Sequence, residues 1–208
     1  YNLKISVLLP YKENFSPSYA GAVSLFVNDT TKLSKYKNST IIYGNTKFKD
    51  KFNLKYVNIK PSANFLQSQN KEYVNEFIKA EKTKKSDLIE LHNRPIYLSY
   101  LVNSLDHRTY ILYFHNDPLS MSGSKTLSER IFLMKTCFKI IFNSNWSKRR
   151  FLEGMKNDLI NSEKLVVVNQ SAKKNSFKLT NKTKLITFVG KLNRSKGYDL
   201  FGNAVIKI

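Results

Sequence analysis

Two lysines and two glycines lie close together in the stretch FVGKLNRSKGYDLF, residues 188–201. An apolar run precedes Gly190 and an amphipathic run follows Gly197, which is typical of a strand that hands over to a helix. Lys191 and Lys196 can converge on one anion near the helix amino terminus, where backbone N–H groups and the helix dipole add to the attraction. The pattern indicates a phosphate site, and a plain turn with its lysines in solvent fits the spacing equally well.

Two histidines each end an apolar, strand-like run. His92 closes DLIELH and His115 closes TYILYFH. The carboxyl ends of parallel strands meet at one edge of a sheet, and the loops there carry the working residues. We therefore expect both rings on one rim, beside the loop of residues 10–21 and residues 143–145. Structural hydrogen bonding explains a histidine at a strand end as well as catalysis does.

Strand-like and helix-like segments alternate over residues 1–170. The helical runs between the strands have apolar residues at helical spacing, as at Tyr73, Val74, Phe77 and Ile78. Strands joined by helices of this length pair in parallel through right-handed crossovers. The sequence predicts a doubly wound, Rossmann-like α/β sheet with the strands LKISVLLP, STIIYG, LKYVNI, DLIELH, TYILYFH, CFKIIFNS and EKLVVVNQ.

The amino-acid composition changes after residue 170, and this change predicts a second domain. Residues 171–183, SAKKNSFKLTNKT, are polar and lysine-rich and predict a linker. Residues 184–208 predict the first β-α unit of a second sheet, a strand KLITFVG followed by a helix. Because the sequence begins at Tyr1 without a methionine and stops within a helical pattern, we interpret it as a fragment.

The charge of the protein is strongly positive, with a formal net charge of +20 and a pI near 9.9. Such a charge is compatible with nucleic acid, an anionic membrane surface or a phosphorylated substrate as partner. Lysine is spread over the whole length, whereas arginine, the usual reader of bases and phosphates, is scarce. This favours a solvated surface. A basic module that binds nucleic acid or anionic membrane without catalysis is the alternative hypothesis.

Several chemistries have no sequence support. Cys137 is the only cysteine, so neither an intrachain disulfide nor a thiolate zinc site can form, and we expect a buried thiol in a reducing compartment. No apolar run is long enough to cross a bilayer. Metal-binding Asp-x-Asp, dinucleotide, Walker, zinc-protease and nucleophile-elbow motifs are missing from the sequence. Metal catalysis is not indicated.

Residues 188–201 resemble the opening of the second domain in retaining GT-B glycosyltransferases of the glycogen-synthase-like, family 4 type superfamily. There, a strand leads to Gly-Arg-Leu and then Lys-Gly, and the arginine and lysine hold the donor diphosphate without a metal. Lys196 matches the lysine of that family. Lys191 stands at the arginine position, which keeps the charge but loses the bidentate fork.

Segments upstream resemble the same family in the same order. SDLIELHNRP is similar to a strand that ends in His-x-His-Asn, with His92 at the second histidine and Glu90 at the first. TYILYFHNDP is similar to the next strand, whose final histidine lines the active site, here His115. YAGAVSLFV resembles the glycine-rich loop after the first strand, with Gly21 kept. EKLVVVNQS resembles a segment that ends in Asn-Gly, with Gln170 replacing the glycine. IIFNSNWSKRRFLEG resembles a strand and capped helix between them.

The resemblance implies an enzyme that moves a sugar from a nucleotide-diphosphate donor to a glycan or lipid-linked acceptor with retention of configuration. It implies no metal or other cofactor. The site residues that it implies are Gly21, Gly190, Lys191 and Lys196 at the donor diphosphate and His92 and His115 as catalytic residues. His115 would contact the transferred sugar, and His92 would shape the acceptor side.

Cellular role and completeness are further expectations from the resemblance. It implies envelope polysaccharide synthesis in the cytoplasm, with possible peripheral contact on the inner membrane face and no nucleic acid partner. Two glutamates seven residues apart surround the donor sugar in that family and would lie beyond Ile208, so we expect residues 1–208 to be inactive alone. A nonenzymatic nucleotide-sugar binder is a third, weaker hypothesis.

Overall fold

The computed structural model of the protein describes residues 3–62, 68–105, 107–172, 184–190 and 192–207. It divides into two compact units, Tyr1–Gln170 and Ser171–Ile208. Lys191 and residues 173–183 of the predicted linker lie outside the described residues.

A seven-stranded parallel sheet forms the first unit, in the strand order β3-β2-β1-β4-β5-β6-β7. The strands are β1 Ile5–Leu8, β2 Thr40–Gly44, β3 Tyr56–Asn58, β4 Leu88–His92, β5 Thr109–Phe114, β6 Lys139–Phe142 and β7 Leu165–Val167. The predicted doubly wound α/β sheet is confirmed. Strand order reverses at β1, so a crevice opens between the carboxyl ends of β1 and β4, where such sheets bind their ligands.

Helices cover both faces of the sheet. They are α1 Ala22–Leu33, α2 Gln69–Lys84, α3 Ile96–Leu101, α4 Leu127–Thr136 and α5 Asn145–Leu152. Because successive strand residues point to opposite faces, β1 contributes to two separate cores. Val7 and Leu9 pack with Val23 and Val27 of α1. Leu8 belongs to the larger core, which α2, α3, α4 and α5 share.

Local sequence explains where several helices begin. Thr126 accepts a hydrogen bond from the Glu129 backbone N–H while the Glu129 side chain accepts from the Thr126 N–H, a capping box that starts α4. Ser144 caps α5 by accepting from the Ser147 N–H at 3.2 Å. Since α5 follows β6 directly, this cap fixes the turn at the sheet edge.

The second unit contains α6, Tyr198–Val205, preceded by a 3₁₀ turn over Arg194–Lys196. The strand predicted over residues 184–190 is wrong, because no strand is formed there. A strand is held by hydrogen bonds to a neighbouring strand, and residues 184–190 and 192–207 include no second strand that could pair with it. Its apolar side chains are exposed as a result, Leu185 by 76% and Val189 by 90%.

Candidate functional site

The two predicted histidines meet at the carboxyl edge of the sheet. His92 is the last residue of β4, and His115 directly follows β5, which pairs with β4 in parallel. His92 Nδ1 lies 2.9 Å from His115 Nε2. The expectation that both rings share one rim is therefore fulfilled, and they are in direct hydrogen-bond contact.

Four side chains form a continuous line through these rings, which we call the histidine row: Glu90, His92, His115 and Gln170. His92 Nε2 lies 2.8 Å from Glu90 Oε1, and His115 Nδ1 lies 3.3 Å from Gln170 Nε2. The His92 side chain is fully buried, and that of Glu90 is 19% exposed. The row thus runs from a carboxylate on the sheet face to an amide at the edge.

Aromatic rings enclose the histidine row. Tyr113 of β5 stacks on His92 with ring centroids 4.7 Å apart, and Phe26 of α1 meets His115 edge to face at 4.9 Å. Burial, reinforced by the neighbouring His92 ring, lowers the pKa of His115 to about 3. His115 is therefore neutral at physiological pH and serves there as a hydrogen-bonding group.

Asparagines hold the backbone around His115. Its N–H donates to Asn93 Oδ1 and its carbonyl accepts from Asn143 Nδ2, each at 2.8 Å. Asn93 has a φ of +52°, a left-handed conformation that asparagine tolerates better than most residues. Sequence reasoning missed Asn93 and placed Asn143 only on the rim. Sequence reasoning named Glu90 at the first histidine of the family pattern, and strand periodicity could also have predicted its contact with His92, because residues two apart on a strand share a face.

Gly21 lies at the start of α1, and its immediate neighbour is a carboxylate. A Cβ at Gly21 would be 2.1 Å from Glu13 Oε1. That oxygen accepts a hydrogen bond from the Ser24 N–H at 3.0 Å. The side chain of Glu13 therefore occupies the position at this helix start where a phosphate is expected, and a phosphate could bind there only by displacing it.

The predicted diphosphate residues of the second unit are partly described. A Cβ at Gly190 would be 3.9 Å from Lys196 Cβ, so these two residues are neighbours. Lys196 is exposed, and its N–H donates to Asn193 Oδ1 at 3.1 Å. Because Lys191 lies outside the described residues, the convergence of two lysines on one anion stays a prediction.

A polar pocket of about 400 Å³ lies beside the site, on the face that α2 and α3 cover. Its lining residues are Ser68, Asn70, Asn93, Arg94, Ile96, Tyr100, Ser120, Met121 and Ser122. Tyr97 supports its wall by donating to Asn70 Oδ1 at 2.9 Å and accepting from the Tyr11 N–H at 3.0 Å. Sequence reasoning missed this pocket because its walls come from three segments that are distant along the chain.

Among the described residues, no group of three or more His, Cys, Asp or Glu side chains is placed to hold a metal ion. No described helix combines the length and apolarity needed to cross a membrane. Cys137 is buried as expected, and burial raises the pKa of its thiol to about 12.

Solved structures share this fold. Anabaena Alr3699/HepE in complex with UDP and glucose has a TM-score of 0.55 and 16% identity, over 82% of this chain and 45% of that one. The Rossmann-like parallel sheet of this chain matches part of that GT-B structure. A glycosyltransferase from Rickettsia africae ESF-5 has a TM-score of 0.53 and 19% identity, over 82% of this chain and 44% of that one. UDP-N-acetylglucosamine 2-epimerase from Rickettsia bellii has a TM-score of 0.50 and 8% identity, over 80% of this chain and 44% of that one.

Identity at this level shows the fold alone, and the similar structures include a glycosyltransferase and an epimerase. The chain spans less than half the length of each of these three proteins. No protein-family model matches the sequence, and no curated protein is significantly similar to it.

Proposed function

We propose that the protein is a glycosyltransferase of GT-B fold that uses a nucleotide-diphosphate sugar as donor. The observation that carries the proposal is the pair of hydrogen-bonded histidines at the carboxyl ends of β4 and β5. It lies at the edge where parallel sheets bind ligands. UDP-glucose or UDP is bound in Anabaena HepE, which shares the fold, and this supports a nucleotide sugar as ligand here.

The proposed roles follow the chemistry of the leaving group. Negative charge develops on the diphosphate as its bond to the sugar breaks, and fixed cations stabilise that charge more than they stabilise the ground state. Lys191 and Lys196 supply the cations, and Gly190 lets the backbone approach the phosphates. Retention of configuration and independence of metal are part of the proposal, on the strength of the motif order alone.

Acceptor binding is assigned to the polar pocket beside the histidines. Hydroxyl, amide and guanidinium groups of Ser120, Asn70 and Arg94 line it, and such groups suit a glycan or the sugar end of a lipid-linked acceptor. In this proposal His115 faces the transferred sugar, and His92 stands between it and the acceptor side. Gly21 reaches a ligand phosphate only when Glu13 withdraws from α1.

The distribution of charge supports an enzyme over a basic binding module. Lys4, Lys55 and Lys84 line a groove at the amino edge of the sheet, opposite the histidines. Lys12 follows β1 at the other edge, and Lys148 lies on α5. A binding stripe would gather such lysines on one face. A cytoplasmic location and contact with an anionic inner membrane, where envelope glycans are built, remain parts of the proposal.

Binding of UDP-glucose to the lysine turn tests this function. We expect shifts of the Gly190 and Gly197 amide NMR signals on titration with UDP-glucose. Lys196→Ala should weaken binding by about tenfold or more, because a charge-assisted contact contributes about 1.5–3 kcal/mol. Lys207→Ala, an exposed lysine of the same unit, is the matched control. Equal weakening by both variants, or no shifts at all, would contradict the proposal.

A further inference from the structure

Hydrogen positions in the histidine row follow from its end groups. An ionised Glu90 carboxylate only accepts hydrogen bonds, so His92 Nε2 must carry a hydrogen toward it across 2.8 Å. Neutral His92 then has its lone pair on Nδ1. His92 Nδ1 and His115 Nε2 are 2.9 Å apart, so one hydrogen lies between them. Because His92 Nδ1 carries the lone pair, this hydrogen is bonded to His115 Nε2.

The far end of the row agrees with this assignment. With its hydrogen on Nε2, neutral His115 has a lone pair on Nδ1, which faces the Gln170 Nε2 amide at 3.3 Å. That amide nitrogen only donates, so the contact is satisfied. If the hydrogen of His115 were on Nδ1 instead, the Gln170 amide would have to turn its oxygen toward the ring to accept it. Each of the three contacts in the row therefore has one donor and one acceptor when both rings are neutral.

Neutral rings also fit the surroundings. Phe26 and Tyr113 pack against the two histidine rings, and burial disfavours a charge on His115. Glu90, whose side chain is only partly exposed, is the one acidic group within the row. In the row, this carboxylate is the group that sets the direction of all hydrogen bonds.

We propose that Glu90 is a positioning residue that acts through His92 to hold His115 in the Nε2–H tautomer. His115 Nδ1 is then presented at the carboxyl edge as a hydrogen-bond acceptor, and the ligand group that it takes is a donor such as a sugar hydroxyl. In the free protein the Gln170 amide holds that place. A phosphate oxygen, which has no hydrogen to donate, does not bind at this atom.

The identity of the donor as a sugar hydroxyl rests on the proposed function, whereas the tautomer does not. Glu90 was assigned no role by sequence reasoning beyond its position two residues before His92. A carboxylate that orients an imidazole is a general device for fixing which ring nitrogen carries the proton. His115 therefore accepts a hydrogen bond from its ligand.

Long-range ¹H–¹⁵N NMR of ¹⁵N-histidine-labelled protein at pH 7 tests the proposal, because protonated and bare ring nitrogens have well-separated ¹⁵N shifts. We expect hydrogen on Nε2 and none on Nδ1 for both His92 and His115. Glu90→Leu should move His115 to a mixture of tautomers. Glu90→Gln keeps an oxygen acceptor and should restore the Nε2–H form. Glu76→Leu is the control, because Glu76 is a partly buried carboxylate of α2 that pairs with Lys79, and it should leave the tautomer unchanged.

A hydrogen on His115 Nδ1 in the unaltered protein would overturn the proposal, as would an unchanged tautomer in folded Glu90→Leu. If Glu90→Leu does not fold, the His115 tautomer measured in the unaltered protein and in Glu90→Gln still tests the proposal. Bound UDP-glucose should shift the His115 Nδ1 signal as the sugar replaces Gln170, and an unmoved signal in a complex that shifts other amides would overturn the ligand assignment. Failure of UDP-glucose to bind would count against the proposed function, while the tautomer is read without ligand.

Discussion

Gly21 is small because the carboxylate of Glu13 lies where its Cβ would be. At the scale of single residues, the site contains such pairs, in which one side chain constrains the size or the charge of its neighbour. His115 is another case, since its charge state depends on burial and on the ring of His92. Both pairs make predictions that single substitutions can test.

Replacing Gly21 with alanine should push Glu13 off the start of α1. The lost hydrogen bond to the Ser24 N–H is a helix cap, worth about 0.5–2 kcal/mol. We expect Gly21→Ala to lower the free energy of unfolding by that amount in urea. In a Glu13→Ala background the same change should cost less, since the carboxylate is already gone. Additive effects of the two substitutions would show that the Glu13 contact does not explain the glycine.

Acid should destabilise the protein through His115. Its pKa is about 3 in the folded protein and about 6.5 when unfolded. Between these values the unfolded chain binds a proton that the native state does not, so stability falls as pH falls, by at most about 1.4 kcal/mol per pH unit. Urea unfolding between pH 7 and pH 4 measures this. His115→Asn should flatten the dependence.

His107→Asn is the control for that experiment, because His107 is exposed and asparagine tolerates its φ of +66°. The titratable groups against the His115 ring are His92, Tyr113 and, through His92, Glu90. An equally steep pH dependence in His115→Asn and His107→Asn would assign the acid sensitivity to other groups.

At the scale of elements, the loop from β4 to α3 connects the histidines to the polar pocket. Asn93 and Arg94 lie in this loop and line the pocket, and Ile96 begins α3. Gly123 packs against that first turn with a φ of +94°, and a Cβ there would be 2.3 Å from the Ile96 backbone nitrogen. The backbone cannot step aside as a flexible side chain can, so the start of α3 requires a glycine.

Alanine at Gly123 should therefore cost more than alanine at a glycine that has free space. We expect Gly123→Ala to lower the free energy of unfolding by about 3 kcal/mol, the sum of left-handed strain and overpacking. Gly154 is the matched control, because its φ is +73° and nothing lies within 4 Å of an added Cβ. Gly154→Ala should cost about 1 kcal/mol, from strain alone. Urea unfolding of both variants decides, and equal losses would contradict the packing argument.

At the scale of the whole molecule, the buried hydrophobic side chains of the described residues all lie between Val7 and Leu165. The sheet, its five helices and both cores thus belong to the first unit. In the second unit the apolar side chains of Leu200 and Ile206 are 72% and 85% exposed. Hydrophobic burial, the main stabilising term in folding, is therefore concentrated before residue 171.

A protein shortened to residues 1–172 should fold and unfold like the full sequence. We expect one cooperative urea transition with an unchanged midpoint, because the removed residues contribute no buried hydrophobic side chain among those described. Circular dichroism and amide NMR of both proteins measure this. A midpoint lowered by more than the error of the fit would show that residues beyond 172 stabilise the sheet.

The fold class could be predicted from the sequence, because apolar periodicity and the alternation of strands and helices along the chain are local properties. The sequence also placed His92 and His115 at strand ends, and adjacency of β4 and β5 then brought them together. The strand predicted over residues 184–190 failed for the converse reason. Its apolar run is local, but a strand exists only through pairing with another.

Tertiary structure alone decided the contacts that join distant parts of the chain. Gln170 contacts His115 although 55 positions separate them, Phe26 of α1 contacts the same ring, and three distant segments of the chain line the pocket beside them. Glu13 takes the position that a phosphate was expected to hold at Gly21. A sequence pattern shows which chemical groups are present. Burial and distance determine which of these groups form hydrogen bonds, and the same two factors set the charge and the tautomer of His115.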